Sequence, residues 1–326
     1  MNRLRTLRSI LQLTRVTLVL TAVSHVWLSI FLALEVEPDW RRNPNLEQLP
    51  LPWLLVLGAV LGGGLYGYAT ALNDVLDVRR DRLLRPDRPI PSGGVGRQTA
   101  MVVAVICLLL ALLAATFFGR ATMVLTVATA GGLLFYNAVA KHLPATGLIT
   151  VMLCRMLLFF TVNPLLGFAW PAVLAMTHEA FWLRVAYRMD GSRKRWTDQD
   201  WLLFTVGWAF WALAVVAWIG VRDGMAIEAA ATIWIGPILV MAWFLVAARL
   251  ALRPRRHEKR EDRPRGRRLR ELIWISLMVF DAAWLISAGL IWQGLLCAAL
   301  PAVAVAMAWL LGPWKVRPPG RFSDYE

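Results

Sequence analysis

Residues 99–140 read TAMVVAVICLLLALLAATFFGRATMVLTVATAGGLLFYNAVA, and this stretch decides the fold class. An apolar run over 99–118 is followed, after Gly119, by a second run from Arg120 to Ala140. Each is as long as the roughly 17–25 residues that an α-helix needs to cross a bilayer. The Gly119-Arg120 pair leaves room only for a tight reversal, so the pattern predicts two membrane-spanning helices in succession. Reading outward, comparable runs lie at about 16–36, 51–73, 145–163, 167–187, 201–221, 226–248, 271–290 and 293–312, which makes ten by hydropathy.

The whole composition agrees. Of 326 residues, 58% are hydrophobic and 17% charged, whereas soluble domains carry about 25% charged residues. An ordinary soluble enzyme, a disordered chain and a secreted disulfide scaffold are thereby excluded. Cys107, Cys154 and Cys297 sit inside apolar runs with no CxxC spacing, which indicates neither a disulfide framework nor a zinc site.

The formal charge of +14 is explained by topology rather than by a nucleic-acid partner. Lys and Arg crowd into alternate gaps: residues 1–15, 74–98, 184–200, 249–270 and 313–326, with Lys141. The opposite gaps hold only Arg41, Arg42, Arg120 and Arg222. By the positive-inside rule this predicts a multi-pass protein of a bacterial plasma membrane with both termini cytoplasmic. The Arg-rich leader precedes a full-length span without a convincing cleavage site and is read as leading into a retained helix. The basic stretch 249–270 reads as a solvated loop, and Gly58, Gly62, Gly63, Gly64 and Gly67 as a close-packing face.

The chemistry concentrates in Asn73-Asp74-Val75-Leu76-Asp77-Val78-Arg79-Arg80-Asp81, followed by Arg85-Pro86-Asp87-Arg88-Pro89-Ile90-Pro91-Ser92-Gly93. On one helix, Asn73, Asp74, Asp77 and Asp81 would share an arc of about 100°. Such acids are costly near hydrocarbon and repel one another, so they mark a functional site. A hard divalent cation with oxygen ligands relieves both costs, and magnesium is commonly held by one or two carboxylates plus substrate phosphates.

This NDVLDVRRD stretch with its RPDRPIPSG tail resembles the first aspartate-rich motif of the UbiA family of intramembrane prenyltransferases. The resemblance implies an all-α polytopic bundle of nine to ten transmembrane helices around a central cavity. It implies a Mg2+ cofactor, held by Asn73, Asp74, Asp77 and Asp81, with Arg85 and Arg88 neutralising a polyprenyl diphosphate. Tyr136 and Lys141 resemble the family's YxxxxK stretch, whose Lys contacts diphosphate. Arg155, inside a span, is expected to face a cavity or a carboxylate, with Asp281 as one candidate partner.

The second aspartate-rich motif of the family is thinned here. The chain offers His178-Glu179 and then Tyr187-Arg188-Met189-Asp190-Gly191, and in this it resembles a divergent, EboC-like branch. Asp190 is expected to be the surviving catalytic acid, with Glu179 and Arg188 contributing to substrate binding. Residues 1–163 would form one bundle with the loop 73–98, and 164–326 a second with the reduced motif at 178–200.

The implied reaction moves a prenyl group from a polyprenyl diphosphate to a small lipophilic, often aromatic, acceptor. A catalytically silent member that binds or moves a prenylated intermediate is the alternative. A CDP-alcohol phosphotransferase is disfavoured because Asp190-Gly191 is followed by Ser-Arg-Lys rather than by its motif. A transporter would be expected to place polar residues on broken helices near the bilayer midplane.

Overall fold

Ten long helices coincide with the ten apolar runs in the computed structural model, which describes residues 3–190, 196–223, 231–253 and 264–311. A short helix α1 (Arg3–Leu13) leads into α2 (Val16–Glu35). The first half continues with α3 (Leu51–Leu76), the roughly two-turn α4 (Val78–Leu84), α5 (Arg97–Phe118), α6 (Arg120–Ala138) and α7 (Pro144–Phe160). The second half comprises α8 (Trp170–Asp190), α9 (Asp198–Asp223), α10 (Ile235–Leu252), α11 (Pro264–Ser287) and α12 (Ile291–Leu311).

Seven of these helices (α2, α3, α5, α6, α9, α10 and α12) are long and apolar enough to cross a membrane. The apolar α7 is shorter, and α8 and α11 are diluted by charge. That dilution is internal as well as terminal: His178, Glu179 and Asp281 are all buried. The outer faces of α5, α6, α9 and α10 instead expose large apolar side chains such as Leu109, Val124, Leu203 and Leu239. A polar interior under an apolar exterior is the arrangement a bilayer solvent selects, and the protein is an integral, multi-pass membrane protein.

Helix α2 lies at the centre and packs against α3, α7, α11 and α12. Small residues set the closest approaches. A Cβ on Gly64 would lie 2.6 Å from the carbonyl oxygen of Cys107 on α5, and one on Gly62 would lie 3.0 Å from that of Ala22 on α2. These helices touch through backbone, the use expected of small residues between spans. The α5–α6 reversal depends on Gly119, whose φ of +99° is open to glycine and strained for other residues.

At the end of the bundle away from the acidic motif, the α2–α3 connection is tied down by two buried polar residues. Glu37 Oε1 accepts the backbone N–H groups of Gly167 and Phe168 at 2.8 and 3.0 Å. Asn43 Nδ2 donates to the carbonyls of Phe118 and Val162, both at 2.8 Å. One carboxamide thus joins the α5–α6 and α7–α8 connections. Asn43→Ala leaves two buried carbonyls without that donor and is expected to lower stability by about 1–3 kcal/mol, read as a lower thermal midpoint with unchanged site chemistry.

Candidate functional site

The acidic motif lies on a bent element rather than on one straight helix. The chain leaves α3 at Leu76, passes through Asp77 at φ −86°, ψ 5°, and re-enters a helix at Val78. Hydrogen bonds from Asp77 N to Asn73 O and from Asp81 N to Asp77 O, at 2.9 and 2.8 Å, carry the helical spacing across the bend. The expected arc therefore survives, with Asp74 and Asp81 buried and Asp77 partly exposed.

Charge is matched residue by residue. Arg88 Nη1 donates to Asp74 Oδ1 at 2.9 Å and to Asp81 Oδ2 at 2.5 Å. Arg15 Nη2 donates to the same Asp74 oxygen at 3.2 Å, and Asn73 Nδ2 at 3.3 Å. Lys141 Nζ donates to Asp77 Oδ1 at 2.8 Å and to Asn73 Oδ1 at 3.2 Å. Asn73, Asp74, Asp77 and Asp81 thus belong to one network with three cations. Burial pushes the Asp81 carboxyl above the ordinary carboxylate range, against the opposing pull of Arg88. It takes up a proton at a higher pH than a free aspartate, so cation capture at this site should fade early on acidification.

Among the described residues, no three His, Cys, Asp or Glu side chains converge closely enough to hold a metal as they stand. The donor chemistry nonetheless suits magnesium. Asp74 and Asp81 both reach a single nitrogen of Arg88, so a cation at that point touches two carboxylates. Asp74 Oδ2 is buried and has no hydrogen-bond partner. Two carboxylates with phosphate oxygens and water completing the shell is a usual magnesium arrangement.

The remaining expected residues divide. Lys141 joins the cluster, and Tyr136 at the end of α6 lies within electrostatic reach of Arg15 and of Tyr66 on α3. Arg85, paired in expectation with Arg88, is exposed at the end of α4, where its backbone N–H donates to Asp81 O at 2.8 Å, while the Arg88 side chain is buried between the acids. Arg155 on α7 ion-pairs with Glu179 on α8, both buried. Its partner is therefore Glu179, and Asp281 instead meets His25 on α2, Nδ1 to Oδ1 at 3.1 Å. Tyr66 lies within electrostatic reach of Arg15 on one side and of Arg155 and Glu179 on the other, so it stands between the cluster and this deeper pair.

The reduced second motif is only partly visible. Arg188 is exposed near the end of α8, and Asp190 closes that helix, with its side chain outside the described part. Residues 191–195 also lie outside the described residues. His178 is held by Ser276 Oγ at 2.9 Å and packs edge-on against Phe244 at 4.4 Å between ring centroids. Burial among aromatics is the environment of a packed histidine rather than of a solvent-reached base.

Arg15 was not expected in the site. It is the only described non-glycine residue with a positive φ, at 49°, ψ 49°, between α1 and α2. That left-handed conformation is unfavourable for an Arg, and it is kept where the side chain reaches Asp74. In the sequence Arg15 is indistinguishable from a topology-setting basic residue.

Two curated relatives resemble the chain over about a third of its length. Digeranylgeranylglyceryl phosphate synthase of Pyrococcus abyssi is 33% identical over 111 residues, covering 34% of this chain and 38% of that protein. The protein of the same name from Methanothrix thermoacetophila is 35% identical over 109 residues, covering 32% and 39%. The chain therefore spans well under half the length of the curated relatives it matches. A structure of a UbiA homolog from Archaeoglobus fulgidus shares the fold with a TM-score of 0.50 at 16% identity, over 89% of this chain and 99% of that one. A structure of a UbiA homolog from Archaeoglobus fulgidus bound to DMAPP and Mg2+ aligns at a TM-score of 0.45 and 16% identity, over 91% and 99%. With a helical membrane bundle, an NDxxDxxxD element gathered with basic residues at one end, and a family model matched over residues 21–263, the chain belongs to the UbiA prenyltransferase family.

Proposed function

We propose that the protein transfers a prenyl group from a polyprenyl diphosphate to a lipophilic acceptor, with magnesium as cofactor. One observation carries this reading: three acids and three cations, each within hydrogen-bond distance of an opposite charge, lie at one end of a membrane bundle. Asp74 and Asp81, with Asn73 and Asp77 beside them, would hold the metal, which supplies neutralisation of the charge on the departing diphosphate. Arg88, Arg15 and Lys141 are placed to exchange a carboxylate for phosphate oxygens, which suits the bidentate donors of Arg. Tyr66, set edge-on to Trp274 at 6.4 Å between centroids, contributes an aromatic wall that excludes water from an allylic cation.

In this reading residues 1–163 supply the metal-holding acids, while residues 164–326 bring Glu179, Arg188 and Asp190 from the opposite side. The motif end faces the cytoplasm, as do both chain ends, in a plasma membrane. The catalytic acids are Asp74, Asp77, Asp81 and Asp190. Substrate contacts fall to Asn73, Arg85, Arg88, Tyr136, Lys141, Arg155, Glu179 and Arg188.

The test supplies the purified protein with magnesium, prenyl diphosphates of increasing length and a panel of phenolic and aliphatic alcohol acceptors. Products are identified by mass spectrometry. A prenylated acceptor that disappears with chelator is expected. Magnesium-dependent binding without product for any pair would favour the silent, prenyl-carrying alternative. Lys141→Ala is expected to weaken diphosphate binding about ten- to a hundredfold, as loss of one charge-assisted contact of roughly 1.5–3 kcal/mol implies, while leaving magnesium dependence intact.

A further inference from the structure

Beneath the acidic cluster, several helices turn charge toward one another at mid-span. His25, Tyr66, Arg155 and Glu179 each lie roughly 14–17 Å in from the motif-side end of their helices, at 1.5 Å per residue. His25 and Asp281 are each 1% exposed, and the imidazole packs against Phe159 of α7 at 5.2 Å between centroids. Nδ1 meets Oδ1 of Asp281, while His25 Nε2 and Asp281 Oδ2 are buried without any hydrogen-bond partner. Buried polar atoms in folded proteins are nearly always satisfied, so His25 Nε2 and Asp281 Oδ2 are left without the partner that such atoms ordinarily have.

The charged and titratable groups around the pair are few. Arg155 from α7 lies within electrostatic reach of Asp281 and is itself paired with Glu179 from α8. Cys297 from α12 also lies within reach of Asp281, and Tyr66 from α3 within reach of Arg155.

Resting on the prenyl-transfer reading, we propose that the His25–Asp281 pair is the proton acceptor of the transfer step, with His25 Nε2 taking the proton that the acceptor molecule loses. The step balances. The allylic C–O bond breaks and its electron pair leaves with diphosphate. An acceptor oxygen lone pair or aromatic π pair forms the new bond to that carbon, and the O–H or ring C–H proton passes to Nε2. Asp281 on Nδ1–H fixes the tautomer that exposes the Nε2 lone pair and stabilises the imidazolium that results, the division of labour of a His–Asp dyad. In a water-excluded bundle a fixed base is needed because bulk solvent cannot take the proton.

The test measures transfer from geranyl diphosphate to phenolic and alcohol acceptors across pH 5–9, alongside equilibrium binding of geranyl diphosphate and the thermal midpoint. It compares wild type, His25→Gln and Asp281→Asn. His25→Gln should lower kcat about 100-fold, the usual scale for loss of a general base. It should abolish the rise of rate with pH and keep the diphosphate affinity within threefold. Asp281→Asn keeps the imidazole and should lower kcat by about tenfold or more, with a displaced pH profile. If either variant is too unstable to assay, the other decides. A folded variant with the wild-type pH profile and rate overturns the dyad alone. Wild-type protein that binds geranyl diphosphate but transfers it to no acceptor overturns the dyad and leaves the binding site standing. Failure to bind it at all overturns the prenyl-transfer reading and the dyad with it.

Discussion

Asp74→Asn is expected to weaken magnesium-dependent binding of a prenyl diphosphate by about a hundredfold. Asp74 is 1% exposed and receives Arg15, Arg88 and Asn73 on one oxygen, leaving the other without a partner. Loss of a charge-assisted contact costs up to about 3 kcal/mol, and each 1.4 kcal/mol is about tenfold in affinity. The substitution also takes the cluster from charge balance to one excess positive charge, since Arg15, Arg88 and Lys141 then face only Asp77 and Asp81. Any diphosphate binding that remains should therefore depend little on magnesium. Asp190→Asn should have the smaller effect, because the second motif offers Arg188 and its basic neighbours rather than a set of acids. The check is a titration of labelled geranyl diphosphate with and without magnesium for each variant.

Glu179→Gln is expected to be the most destabilising single substitution at mid-span. It leaves the Arg155 guanidinium buried, 8% exposed, without the carboxylate that both its Nε and Nη2 contact. The expected loss is about 3–5 kcal/mol, softened by Asp281 within electrostatic reach. Replacing both members, as Arg155→Met with Glu179→Met, removes the uncompensated charge and should recover much of that loss, since a buried ion pair is often no better than apolar packing. Thermal midpoints in one detergent, compared across wild type, Arg155→Met, Glu179→Met and the double, give the coupling directly. A double variant no more stable than Glu179→Gln would show that the pair is held by more than charge compensation.

The spans and the first motif were legible because their signals are local. Hydropathy runs of helical length placed all ten long helices to within a few residues, apart from the starts of α10 and α11. The spacing of Asn73, Asp74, Asp77 and Asp81 placed one network correctly even across a bend at Asp77. What remained hidden is non-local. Arg15 meets Asp74 across 59 residues and His25 meets Asp281 across 256, and no pattern in either segment announces the partner. Asp281 was expected to be a candidate partner of Arg155, yet α8 brings Glu179 there instead. Arg85 and Arg88 are equivalent in sequence, but the turn at Pro86-Asp87 buries only the second. The helices whose hydropathy is weakest, α8 and α11, carry the interior polar residues. Local rules fail where a buried partner comes from a distant segment.

Diphosphate capture by this cluster through a metal makes retention of the substrate depend on that metal. Retention of radiolabelled geranyl diphosphate by the purified wild-type protein, with magnesium and then with excess chelator, tests it most directly. Saturable binding that falls at least tenfold on chelation, and returns when magnesium is restored, is the predicted result. Binding that is unchanged by chelator, or absent in both conditions, would contradict the account.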